Sequence, residues 1–175
     1  MQENSIKATS EKAMSYGTIL GAVAILTNIF YLIGLKSPLF STLFITLFAA
    51  TPIIAARLAI IYRKRERDNR MTLAEAWFFL MIMFACAALL SSVAQLIYFL
   101  FIDGGYFMSI IQEQFDAIIN MEGADARLKE QFSTTAEILK SLSPRNMVLQ
   151  ILGTNLLFSP IITFIIAIFV KKSPK

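Results

Sequence analysis

The chain has 175 residues, 57% of them hydrophobic and 16% charged, with a net charge of +4, one cysteine and no histidine. Ordinary soluble domains carry roughly 25% charged residues, and a deficit of this kind points to helix surfaces that face lipid. The missing histidine excludes Ser-His and Cys-His nucleophiles and the usual zinc sites, and a lone cysteine excludes an intramolecular disulfide.

Four apolar stretches, residues 14–35, 39–62, 73–102 and 147–170, fill more than half of the chain. Each is longer than the roughly 20 residues a helix needs to cross a ~30 Å hydrocarbon core. The fold class is therefore an all-α membrane protein. A single domain over residues 1–175 is expected, with four transmembrane helices in an antiparallel bundle.

The first stretch has Ala22 and Ala24 spaced as in a signal-peptide cleavage site. Its apolar part exceeds an h-region, however, and Glu3, Lys7, Glu11 and Lys12 before it sum to neutral, so it reads as a retained helix. Gly17 and Gly21 form a GxxxG pair that Ala24, Asn28 and Tyr31 continue at helical spacing. Small residues on one stripe let two helix backbones approach closely, so this is a packing face.

Ser37 and Pro38 open the second stretch as N-cap and first helical residue, and Pro52 inside it frees the carbonyl of Phe48 and predicts a kink. Arg57 lies nineteen residues beyond Pro38, about 28 Å along the helix. At that depth its guanidinium can snorkel to the headgroups beside Arg63–Arg65. The other reading is a buried ion pair, with Glu75 as partner. The connection 63–72 then holds five basic and two acidic residues.

The third stretch begins with a capping box, Thr72 and Glu75, each satisfying a backbone amide of the other. Trp77 and Tyr98 mark its two interfaces, Cys86 lies within it, and Ala85, Ala88, Ser92 and Gln95 form a small and polar stripe to match that of the first. After Asp103, Gly104 and Gly105, apolar periodicity resumes at Met108, Ile111, Phe115 and Ile118, breaks at Gly123, and returns at Leu128, Phe132, Thr135, Leu139 and Leu142. Residues 103–146 therefore read as an amphipathic helical hairpin, suited to lying on a leaflet, capping the bundle or receiving a partner protein.

Ser143 and Pro144 open the fourth stretch as Ser37 and Pro38 open the second, and Pro160 lies at a depth comparable with that of Pro52. This correspondence raises the idea of two related hairpins, 14–62 and 73–170. Lys171, Lys172 and Lys175 follow the last span. Segment 103–145 holds seven acidic and four basic residues. The basic bias of loop 63–72 and the tail predicts a bacterial cytoplasmic membrane location with both termini in the cytoplasm and the hairpin outside.

Asn28, Gln95 and Asn155 are the amides expected in the bundle interior, either hydrogen-bonded for structure or lining a polar path. No paired intramembrane carboxylates and no glycine-rich phosphate loop occur, and no cofactor or metal ligands are assigned. The basic loop lacks interleaved aromatic residues, so it suits anionic lipid and no nucleic acid.

Tyr16, Gly17 and Gly21 in the first span, Ala55, Ala56 and Arg57 late in the second, the basic loop leading to Thr72, Glu75 and Trp77, and Tyr98, Asp103 and Tyr106 thereafter follow one another in this order. Over nearly the whole chain this resembles a family of small bacterial four-span membrane proteins of unknown function, common in Bacteroidota. The resemblance departs at one place, since members of that family often carry glycine and a Ser-Phe pair before the third span, where this chain has Arg70, Met71, Thr72 and Leu73. The resemblance implies a fold and an inner-membrane location and brings no catalytic residues.

A non-enzymatic accessory or scaffold protein is the leading expectation, with a protein partner at the hairpin and a homo-oligomer among its associations. The alternative is a small transporter or channel component with a polar path through Asn28, Gln95 and Asn155. A third reading, a lipid-modifying enzyme, would use Asp103 or Glu75 within a carboxylate cluster.

Overall fold

A computed structural model describes residues 2–121 and 125–172. Gly123 and Lys175 lie outside the described residues. Six helices follow in order: α1 (Gln2–Gly34), α2 (Pro38–Glu66), α3 (Leu73–Phe101), α4 (Tyr106–Ile119), α5 (Ala126–Ser141) and α6 (Pro144–Val170). Four of them, α1 from Ile6, α2, α3 and α6, are long and apolar enough to cross a membrane. The chain is an all-helical, multi-pass membrane protein, as its apolar stretches require.

Contacts divide the chain into two compact units, residues 1–94 with 151–175, and residues 95–150. In the first unit the core gathers near the α2–α3 connection. Its buried members are small residues, Ala13, Ala55, Ala59, Ala76, Ala87 and Ala167, set around Leu20, Phe79, Leu80 and Met83. Alanine at these positions lets helix axes approach closely, and dispersion contact replaces the hydrophobic drive that lipid surroundings cannot supply. On α2 the buried positions run only from Ala55 to Arg63, so its first half leaves Leu39, Ile45, Phe48 and Ile53 exposed.

Glycines decide two contacts in this unit. A Cβ on Gly17 would stand 2.7 Å from Cys86 Cβ and 2.8 Å from the Met83 carbonyl, and one on Gly21 would meet Leu90 Cδ1 at 2.9 Å. The GxxxG pair therefore seats α1 on α3 within one chain. The receiving surface is Met83, Cys86, Ala87 and Leu90, and Asn28 Nδ2 extends it by donating to Ser91 Oγ at 2.6 Å. Relative to the expected stripe through Ala88 and Ser92, the seam on α3 is turned by one residue. At 100° per residue, larger neighbours fill the space beside the glycines.

The helix ends follow local chemistry. Thr72 N donates to Glu75 Oε2 at 2.9 Å and Glu75 N to Thr72 Oγ1 at 3.3 Å, the expected capping box. Asn146 N donates to Ser143 Oγ at 3.3 Å, whereas Ser37 is extended and its side chain makes no capping bond. There the turn is closed instead by Ser41 Oγ donating to the Gly34 carbonyl at 2.6 Å. Both α2 and α6 continue as helices through Pro52 and Pro160.

In the second unit α4 and α5 occupy the expected amphipathic segment, and the rings of Phe115 and Phe132 meet at 5.4 Å. Asp103 accepts from Gly105 N at 3.1 Å and Phe107 N at 3.0 Å, which fixes the turn into α4 while Gly104 and Gly105 take positive φ. Asp125 caps α5 through Arg127 N at 3.0 Å.

Candidate functional site

The densest polar arrangement among the described residues lies where α1, α2, the 67–72 connection, the start of α3 and the end of α6 meet. Its centre is Arg63. Ala55, Ala59, Tyr62 and Arg63 share one face of α2, spaced by four, three and one, and that face is buried. Being on the core side, the guanidinium donates through Nη1 to the Val170 carbonyl and through Nε to Asn69 Oδ1 at 3.2 Å. Val170 is the last residue of α6, whose terminal carbonyls lack intrahelical donors, so a cation is doubly suited there.

Next to this bond the backbone crosses between the loop and the tail. Met71 N donates to the Lys172 carbonyl at 2.9 Å, and Lys172 N returns to the Met71 carbonyl at 2.8 Å. Met71 is 1% exposed, which anchors the bridge in the core. Asp68 and Asn69 adopt positive φ of 47° and 58° to make the turn, a conformation these two residue types tolerate better than most.

An aromatic group lies beneath. Tyr62 and Phe79 stack with ring centroids 4.1 Å apart, and Tyr16 meets both edge-on at 6.3 and 6.0 Å. Tyr62 OH donates to Thr9 Oγ1 at 3.3 Å, and Arg67 Nη2 reaches the same oxygen at 3.5 Å and Glu75 Oε1 at 3.1 Å. Lys12 pairs with Glu66 at 2.7 Å across α1 and α2. Arg67 Nε is shielded and has no partner among the described residues. A shallow recess of about 300 Å³ opens between residues 66–72 and Glu75.

Several residues singled out by sequence stand elsewhere. Glu75 pairs with Arg67, not Arg57. Arg57 is exposed, two positions and so about 200° around α2 from the buried Ala55. An exposed arginine at that helix position suits an anchor. Asn28 is partly buried and bonded to Ser91, whereas Asn155 is exposed on α6. Asn155 lies four residues before Ser159, on the stripe that Ser159 and Thr163 continue into the core, but the core does not extend as far as residue 155. Gln95 Oε1, in the second unit, is shielded and accepts no bond from a described residue. Trp77, expected at an interface, donates from Nε1 to the Pro160 carbonyl at 3.1 Å and meets the Phe164 ring edge-on, joining α3 to α6.

Sequence reasoning passed over Arg63, reading it only as one charge in a basic run. The signal was its register with Ala55, Ala59 and Tyr62. Thr9 and the Met71–Lys172 bridge carried no comparable signal, because they join parts of the chain far apart in sequence, and Asn69 reaches Arg63 only through the local turn that Asp68 and Asn69 make.

Among the described residues no group of three or more His, Cys, Asp or Glu side chains is placed to hold a metal ion. The arrangement ties four helices at one end and uses Arg63, Arg67, Glu75, Lys12 and Glu66 in bonds within the chain. A family model described as "Protein of unknown function (DUF4199)" matches residues 15–172. No curated protein and no solved structure matches the chain.

Proposed function

The chain belongs to the DUF4199 family, whose function is unknown, and we propose from its own residues and its four spans that it is a non-enzymatic accessory or scaffold protein. The observation that carries this reading is the structural use of its chemically capable side chains. Arg63 holds the end of α6, Glu75 caps α3 and pairs with Arg67, Asn28 joins α1 to α3, and Asp103 fixes the turn into α4. A reacting or transporting site needs such groups turned toward a cavity and free to act, and of these Glu75 and Arg67, which border the shallow recess, are paired with each other.

The transporter alternative has less support, since Asn28 is taken up by Ser91 and Asn155 does not enter the core. The bias of basic residues in 63–72 and 171–172 supports placing this end in the cytoplasm of a bacterial cell. Partner contact falls on surfaces outside the α1–α3 seam, because the GxxxG pair is already filled within the chain.

Photo-crosslinking in native membranes tests the reading, with the reactive residue placed at exposed Leu128, Ile138 or Arg65. One membrane protein crosslinked reproducibly from one position and not from the others is the expected result. A strictly monomeric chain with no position-dependent adduct overturns it.

A further inference from the structure

The basic end retains charge after its internal pairs are counted. Glu66 is matched by Lys12 and Glu75 by Arg67, while Arg63 is buried against neutral acceptors. Lys64, Arg65, Arg70, Lys171 and Lys172 are all exposed and have no side-chain partner among the described residues. Asp68 is the acid of the same loop without such a partner.

Three of these cations are brought together by the fold. The double backbone bond between Met71 and Lys172 brings the backbone of Arg70, one residue before it, close to that of Lys171 and Lys172 in the tail. Repulsion between like charges would separate them in a flexible chain. Here buried Met71 and the bond from Arg63 to the Val170 carbonyl hold the two segments together. Cations carried on two backbone segments that the fold holds together offer an anion charge that need not be gathered from a distance.

Position selects the anion. Arg70 stands three residues before α3 begins at Leu73, and Lys171 directly follows the end of α6 at Val170, so both lie where two apolar spans leave the hydrocarbon. In a bilayer that is the depth of the lipid phosphates.

We propose that Arg70, Lys171 and Lys172, fixed by the Met71–Lys172 bridge, form a binding site for a phosphate-bearing anion, supplied by the headgroup of an anionic membrane phospholipid. Arginine offers a planar fork of donors and the two lysines offer compact charge, a combination suited to a phosphodiester. The site requires that the chain spans a bilayer but not that it acts as a scaffold, so either reading can fail without the other.

The test uses the full-length protein in mixed micelles, with bound lipid counted by native mass spectrometry. Three arms are titrated: phosphatidylglycerol, phosphatidylcholine, and phosphatidylglycerol in competition with inorganic phosphate. Saturable retention of phosphatidylglycerol over phosphatidylcholine is expected, with little displacement by millimolar phosphate.

The triple variant R70Q/K171Q/K172Q should weaken retention by about a hundredfold, the scale for three cations at an anionic membrane surface. The variant K64Q/R65Q removes charge from the same end outside the bridged group and should weaken it by less than about threefold. The bridge itself is made by backbone atoms, so neutralising these side chains leaves it intact; helical content and elution volume confirm that each variant is folded. Equal retention of both lipids overturns the proposal, as does an equal loss per charge in the two variants. Displacement by phosphate at concentrations matching the lipid overturns the lipid source.

Discussion

Arg63 and Arg57 show how much a residue's register on its helix matters. Both are single arginines late in α2, six residues apart, yet one lies on the buried face with Tyr62 and the other is exposed. Replacing Arg63 with Met removes the donor to the Val170 carbonyl and leaves an acceptor uncovered, a loss of about 1–3 kcal/mol. Arg57→Gln should change stability by no more than about 0.5 kcal/mol, as expected for an exposed position without a partner. Unfolding of both variants in detergent measures the difference, and equal stabilities would refute the role given to Arg63. Sequence made Arg57 conspicuous because it stands alone among apolar residues. Arg63 was hidden by the cations that follow it, although its spacing from Ala55 and Ala59 was visible.

Among the elements, the α1–α3 seam depends on backbone proximity. Gly17→Val introduces a branched side chain where even a single Cβ would stand 2.7 Å from Cys86 Cβ and 2.8 Å from the Met83 carbonyl, so the two helices must separate. Disulfide formation between cysteines introduced at facing positions of α1 and α3, in a Cys86→Ser background, should fall in that variant; unchanged crosslinking would show that the seam is loose. The Asn28–Ser91 bond should give a coupling of about 0.6 kcal/mol in a double-mutant cycle, the usual scale for polar contacts between membrane helices. In the second unit Phe132→Ala removes a ring meeting Phe115, and amide exchange in α5 should quicken while α1 keeps its protection. The GxxxG pair and both amphipathic helices were legible from periodicity. The exact stripe on α3 was not, because several rotations of that helix present small residues, and the choice between them depends on what α1 brings against it.

For the whole molecule, connectivity gives the strongest expectation. One helix long enough to cross a membrane, α3, separates the 67–72 connection from the α4–α5 segment. In a Cys86→Ser background, cysteines at positions 68 and 125 should therefore react from opposite sides of the membrane, and labelling of both from one side would refute the spanning assignment. Length and hydropathy alone determined that four segments are spans and that an amphipathic pair follows the third, because a lipid environment penalises charge and unsatisfied backbone wherever the helices finally pack. Tertiary structure alone decided that Arg63 would reach the end of α6, that Glu75 would take Arg67, and that the backbone at Met71 would pair with that at Lys172. The first and last join residues distant in the chain, the second spans a loop between two helices, and their geometry depends on helix rotation and on a single backbone bridge, neither of which hydrophobic pattern encodes.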